Sequence, residues 1–280
     1  MASSSSSCCT LLFHALLLIQ FCSCREIIDK NPKNDRNEEN RIKVYGTNEV
    51  DDLDPALRVF FDVNDLYKGK NMWIYFAIND PSTTPRLLAR EQADSIPFSS
   101  SNLPYLLEFL SLAGDSPQAK AMEMTLKQCE LEPTAGEVRF CATSLESMLD
   151  STRRILGEIK LKALTTKIHD LLGSNHTALQ RYTFLKEPLE LHVHDMVACH
   201  TMAYPYAVYY CHGQKGSNRA FEISLGGENG DRVDAIAVCH MNTSMWDPDH
   251  VAFRVLGGHP GSSPVCHFLP ADNIAWIPSS

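Results

Sequence analysis

Nowhere in this chain do Lys and Arg gather into a patch. The 25 basic residues are outnumbered by 34 acidic ones, for a formal net charge of −9. That balance argues against nucleic acid and anionic membrane as main partners, because both are held by clustered cations. Also missing is an apolar run long enough to cross a bilayer, which takes about 20 residues; "LLFHALLLIQF" (11–21) falls well short. No Cys-x-x-Cys occurs, the spacing on which many zinc sites are built from reduced thiolates. What is left, at 44% hydrophobic and 21% charged over 280 residues, is an ordinary globular composition.

Residues 1–24 read as a secretory signal. A Ser-rich start precedes the apolar core, and small residues at Cys22, Ser23 and Cys24 mark a cleavage point near Cys24. No Lys or Arg precedes the core, so only the α-amino charge stands there. Removing this segment takes Cys8, Cys9, Cys22 and Cys24 with it and leaves six cysteines: Cys129, Cys141, Cys199, Cys211, Cys239 and Cys266. An even number in an oxidising compartment points to disulfides. Sequons at Asn175 and Asn242 fit a secreted glycoprotein. Residues 25–57 form a charged linker or propeptide. Its first thirty positions carry fifteen charged side chains, with no tandem repeat and Tyr45 as the sole aromatic, too little apolar surface to offset the entropy of ordering.

Order is expected over 58–280, as one α+β domain with helices in the first half and an antiparallel, β-rich second half. "RVFFDVNDL" and "NMWIYFAI" read as strands around a Lys-Gly-Lys turn. "DSPQAKAMEMTLKQC" reads as a helix capped by Ser116 with Pro117 in its first turn. "CATSLESMLDSTRRILG" reads as a second helix, with Thr143 and Glu146 at capping-box spacing and Gly157 at its stop. Cys129 and Cys141 flank the loop between these helices, where a disulfide would close the turn. Beyond residue 180, "LELHVHDMVACH", "YAVYYCH", "AFEISL", "DAIAVCH", "HVAFRVL" and "PVCHFL" read as strands separated by "GGENGD" and "GGHPGSSP".

Four Cys-His dyads lie in these strands: 199–200, 211–212, 239–240 and 266–267. Three are expected to end a strand and one to lie inside. Neighbouring strand residues point to opposite faces, so the cysteines share one face while His200, His212, His240 and His267 share the other. Two readings follow. Either the imidazoles converge on copper, zinc, iron or nickel, or they hydrogen-bond within strands beside disulfide cysteines. Which dyad cysteines pair has three answers at this stage.

The intervals from each dyad His to the next Cys are ten, twenty-six and twenty-five residues. Together with "YPYAVYYCH", "AVCHMNTSMWDPDHVAFRVL", "PVCHFLP", "VFFDVNDLYKGK", "SIPFSS", "TLKQCE", "GEVRFCATSLESM" and "IAWIP", they closely resemble the plant BURP domain. The short N-terminal segment and "LLAR" (87–90) are most similar to its seed- and embryo-type branch. The resemblance implies a copper-dependent autocatalytic peptide cyclase that uses dioxygen to join an aromatic side chain to another residue of its own chain. It implies His200, His212, His240 and His267 as ligands of one or two copper centres, with Cys199, Cys211, Cys239 and Cys266 as staples. His250, in the matching "WDPDHVAF", is a fifth candidate, and Tyr45 in "IKVYG" is the candidate crosslinked core. His192 and His194 share one strand face as weaker candidates. His169, His176 and His259 read as surface residues, and Asp247 and Asp249 as turn residues or supports for an imidazole. The resemblance also implies alternatives: a non-catalytic protein associated with cell-wall polysaccharide or a pectin-degrading enzyme, or a seed- or stress-responsive protein. Location would be the apoplast, the cell wall or a storage vacuole.

Overall fold

The computed structural model describes residues 58–76, 84–133, 136–157, 160–169, 179–193, 195–214, 216 and 218–279. The expected signal segment, the 25–57 linker with Tyr45, and Asn175, His176 and His194 lie outside these residues. Two antiparallel sheets carry the fold. The first runs β1 (Phe60–Phe61), β12 (Val265–Phe268), β11 (Arg232–His240), β10 (Asn218–Gly227), β6 (Gln180–Phe184), β2 (Asn71–Ile74). Two short strands, β5 (Lys167–His169) and β7 (Leu189–Glu190), pair with β11 and β10. The second runs β3 (Glu137–Ala142), β9 (Val208–Gln214), β8 (Val197–Met202), β13 (Ile274–Pro278), β4 (Leu161–Leu164).

Alternation along each strand divides the core. In β11, Ala235, Ala237 and Cys239 face one way, into a cluster with Phe61, Phe76, Phe184, Phe221 and Phe268. The sheet curls around these rings, since Phe61 and Phe76, from opposite ends of the strand order, both reach Phe268, with centroids 4.7 and 5.7 Å away. Ile236 and Val238 face the other way and meet Leu164, Ala275 and Ile277 of the second sheet. The two sheets therefore pack on each other through the face that also carries His240. Thr166, buried between β4 and β5, joins them: its hydroxyl donates to Leu269 O (2.6 Å) and accepts from Ile236 N (3.1 Å).

Among the described residues five α-helices accompany the sheets: α1 (Arg90–Asp94), α2 (Leu103–Phe109), α3 (Pro117–Glu130), α4 (Leu145–Leu156) and α5 (Val251–Leu256). Ser116 caps α3 as expected, its Oγ accepting from Ala119 N, with Pro117 following. Helices α2 and α3 cover Tyr204, Tyr206 and Val208, and α4 covers the outer side of the second sheet through Met148 and Trp276. The chain is α+β, as the sequence suggests, but its β part is the larger and its helices are not confined to the first half.

Several local expectations are corrected. "HVAFRVL" forms α5 rather than a strand, because His250 caps its start and Gly257 (φ 70°) supplies the left-handed stop. "RVFFDVNDL" forms a strand only at Phe60–Phe61, after which Asp62 caps a short 3-10 turn. "LELHVHDMVACH" is divided, with His192 at φ 20° between β7 and β8. Helix α4 is capped by Ser144 with Ser147, since β3 extends through Ala142. That strand also occupies the segment expected to be a loop between helices.

Candidate metal centre

Among the described residues three disulfides are present: Cys129–Cys141, Cys199–Cys211 and Cys239–Cys266. The first ties α3 to β3. The other two resolve the three open pairings by strand register, because Cys199 stands directly opposite Cys211 in the β8–β9 ladder and Cys239 opposite Cys266 in β11–β12. All four dyad cysteines are fully buried. Only the 239–240 dyad ends its strand; the other three lie within theirs.

This register dictates where the histidines go. In an antiparallel ladder the residue after one member of a directly opposed pair and the residue after the other are diagonal neighbours. Such neighbours are about 7–8 Å apart, with their Cβ atoms somewhat closer, within reach of long side chains. His200 and His212 form such a diagonal on the second sheet, with Nε2 atoms 3.1 Å apart and rings stacked at 5.2 Å. His240 and His267 form the same diagonal on the first sheet, with Nε2 atoms 3.4 Å apart and rings at 5.4 Å. Face-to-face packing then brings the pairs together, His200 to His267 at 6.2 Å and His212 to His240 at 6.3 Å between ring centroids.

Each imidazole is anchored at its far nitrogen. His240 Nδ1 donates to Asn218 Oδ1 (2.9 Å), and His267 Nδ1 donates to Phe268 O (3.2 Å). His200 Nδ1 accepts from Asn273 Nδ2 (2.8 Å), and His212 Nδ1 faces Glu137 Oε1 at 3.9 Å. Burial holds the His200 and His240 rings well below the usual histidine range and His267 at about 4; neighbouring imidazoles push the same way. His212 is also lowered by burial, partly opposed by Glu137. The lowering favours the neutral form of all four rings, the form in which one ring nitrogen keeps a lone pair.

Two ligands held at about 2.0–2.1 Å from one ion, with angles of about 90–110° between them, place their nitrogens about 2.9–3.4 Å apart. Both Nε2 pairs fall in that window, so the donor set fits a transition ion that favours imidazole. Among the described residues no group of three or more His, Cys, Asp or Glu is placed to hold a metal ion together. Each pair would offer such an ion at most two imidazole nitrogens.

His250 sits behind this group. Its Nδ1 accepts from Ala252 N (3.2 Å) as the cap of α5, and burial lowers its pKa to about 4. Trp246 lies between it and the cluster, with centroids 4.5 Å from His250 and 5.1 Å from His240. Phe60 flanks His267 at 6.1 Å, and Tyr210 flanks His212 at 5.7 Å. His192 and His259 are exposed, and His169 pairs with Asp234 (3.0 Å) at the surface. Asp247 and Asp249 are exposed turn residues; the Asp247 carboxylate accepts from Asp249 N. Asn242 is exposed, and its Oδ1 accepts from Ser244 N.

Sequence reasoning missed Asn218, Asn273, Trp246 and Tyr210. Asn218 has no local signal, since it meets His240 only through the β10–β11 register. Trp246 and Tyr210 stand within the quoted motifs and Asn273 just before "IAWIP", but their places beside the histidines come from sheet pairing and loop folding.

A family model described as the BURP domain matches residues 59–278. The chain is similar to BURP domain protein USPL1 of Arabidopsis thaliana, 45% identical over 276 residues, covering 98% of this chain and 97% of that protein. It is also similar to BURP domain-containing protein BNM2A of Brassica napus, 44% identical over 272 residues, covering 96% and 94%. BURP domain protein RD22 of Arabidopsis thaliana is 37% identical over 226 residues, covering 80% of this chain and 56% of that protein.

Proposed function

The chain belongs to the plant BURP domain family, and from that membership and the imidazole geometry we propose that it is a secreted copper-binding protein that oxidatively cross-links an aromatic side chain of a peptide. The observation that carries this reading is the pairing of four neutral imidazoles through Nε2 at 3.1 and 3.4 Å. A copper ion held there would supply one-electron oxidation with dioxygen as the terminal acceptor. The three disulfides support an oxidising, extracellular compartment.

The chain's own residues account for the rest. His200, His212, His240 and His267 would hold the ion: His240 and His267 donate from Nδ1 to Asn218 Oδ1 and Phe268 O, which orients Nε2 for an ion, while His212 Nδ1 faces Glu137 and His200 Nδ1 accepts from Asn273. Phe60, Trp246 and Tyr210 shield the cluster from water. His250 caps α5 and braces Trp246. The substrate is the chain's own 25–57 segment at Tyr45, or a second peptide with an accessible Tyr or Trp. Asn242 is exposed and suits glycosylation.

Mass spectrometry after incubation with copper in air tests the activity. The expected result is a loss of two hydrogens localised to residues 25–57 or to a supplied Tyr-containing peptide. Unchanged masses in both, with copper bound, would refute the cross-linking activity and leave a copper-binding protein.

A further inference from the structure

The two imidazole pairs share a diagonal geometry but not a hydrogen-bonding sense. His267 Nδ1 faces the carbonyl of Phe268 and His240 Nδ1 faces Asn218 Oδ1, so both rings carry their proton on Nδ1. Their Nε2 atoms, 3.4 Å apart, then present two lone pairs to each other with no proton between them. His200 is the reverse. Asn273 Oδ1 accepts from Thr201 N (3.3 Å), which fixes the amide so that Nδ2 donates to His200 Nδ1 (2.8 Å). The His200 proton therefore sits on Nε2 and is donated to His212 Nε2 across 3.1 Å. His212 in turn keeps its proton on Nδ1, toward Glu137.

We propose that Asn218 and Asn273 set opposite tautomers, making His240/His267 the tight cation-binding pair and His200/His212 a hydrogen-bonded pair that takes an ion only weakly. The physical difference is the ground state. At His240/His267 a cation relieves repulsion between two lone pairs, whereas at His200/His212 it must break an existing hydrogen bond and reverse a tautomer that Asn273 opposes. Both asparagines are positioning residues, acting through the imidazoles they touch. This inference rests on the metal-binding reading above.

Two readouts test it without any turnover. Long-range ¹H–¹⁵N correlation spectra of the metal-free protein should place the proton on Nε2 in His200 and on Nδ1 in His240, His267 and His212. Titration with Zn(II), a redox-silent probe, and with Cu(II) should give one tight equivalent in the native protein. Asn273→Asp keeps the acceptor for Thr201 N but turns the contact to His200 into one that accepts. It should move the His200 proton to Nδ1 and tighten the second equivalent by about 10–100-fold. Asn218→Leu, checked for native circular dichroism, should weaken the first equivalent by a similar factor. A His200 proton on Nδ1 in the native protein, or two equally tight equivalents, would overturn the inference. Tautomers as stated with no ion bound by any variant would instead overturn the metal-binding reading, and with it the division of labour between pairs.

Discussion

Acidification of the metal-free protein should destabilise it well before its carboxylates protonate. His250 and His267 have native pKa values of about 4 against an ordinary 6.5, through burial first. The unfolded chain therefore binds protons that the native state refuses, and stability rises with pH across that interval. The contribution is fully present above about pH 6.5 and is lost as pH falls toward about 4. Between pH 7 and 5 each of these two groups costs about 1.9 kcal/mol, roughly 4 kcal/mol together. His200, His240 and His212 act in the same direction. Against a typical total of about 5–15 kcal/mol, that is a large share. Urea denaturation of chelator-treated protein at pH 7, 6 and 5 measures it. His267→Gln should remove about half of the 4 kcal/mol, leaving a shallower profile. A midpoint that stays level or rises between pH 7 and 5 would refute the claim that these imidazoles are buried and neutral.

Other outcomes follow from packing and covalent closure. Replacing Cys239 and Cys266 by Ala should cost about 3.6 kcal/mol from a 27-residue separation, and Cys199 with Cys211 about 2.8 kcal/mol from a separation of 12; denaturant melts that give the reverse order would contradict the chain-entropy account. Thr166→Val orphans Leu269 O and Ile236 N inside the sheet junction, at about 2–4 kcal/mol by the same assay. His250→Ala should lose about 1 kcal/mol with the α5 cap, and His250→Asn should recover part of it because Asn caps well.

The face division of the dyads was readable from two-residue strand periodicity, and the start of α3 from Ser116-Pro117. What stayed hidden depends on tertiary register. No linear feature says that Cys199 opposes Cys211, or that this opposition sets His200 and His212 on a diagonal. "HVAFRVL" has the β-branched and aromatic residues of a strand, yet the cap at His250 and the left-handed Gly257 make it helical, and tertiary context overrides weak propensity. The expectation that Cys129–Cys141 would close a simple loop missed β3, because Glu137–Ala142 finds its partner 67 or more residues later in β9.

The connections that build the two diagonals differ greatly in length, and this bears on the order of assembly. Strands β8 and β9 are separated by only Ala203–Ala207, so the His200/His212 diagonal belongs to a local hairpin with a low closure cost. Strands β11 and β12 enclose a long excursion containing α5, and their diagonal waits on that closure. The four rings meet only when the sheets dock, with the Thr166 junction made. The joint environment of the four imidazoles is then completed late in maturation, so any ligand that needs both pairs would meet only molecules whose sheets have already docked.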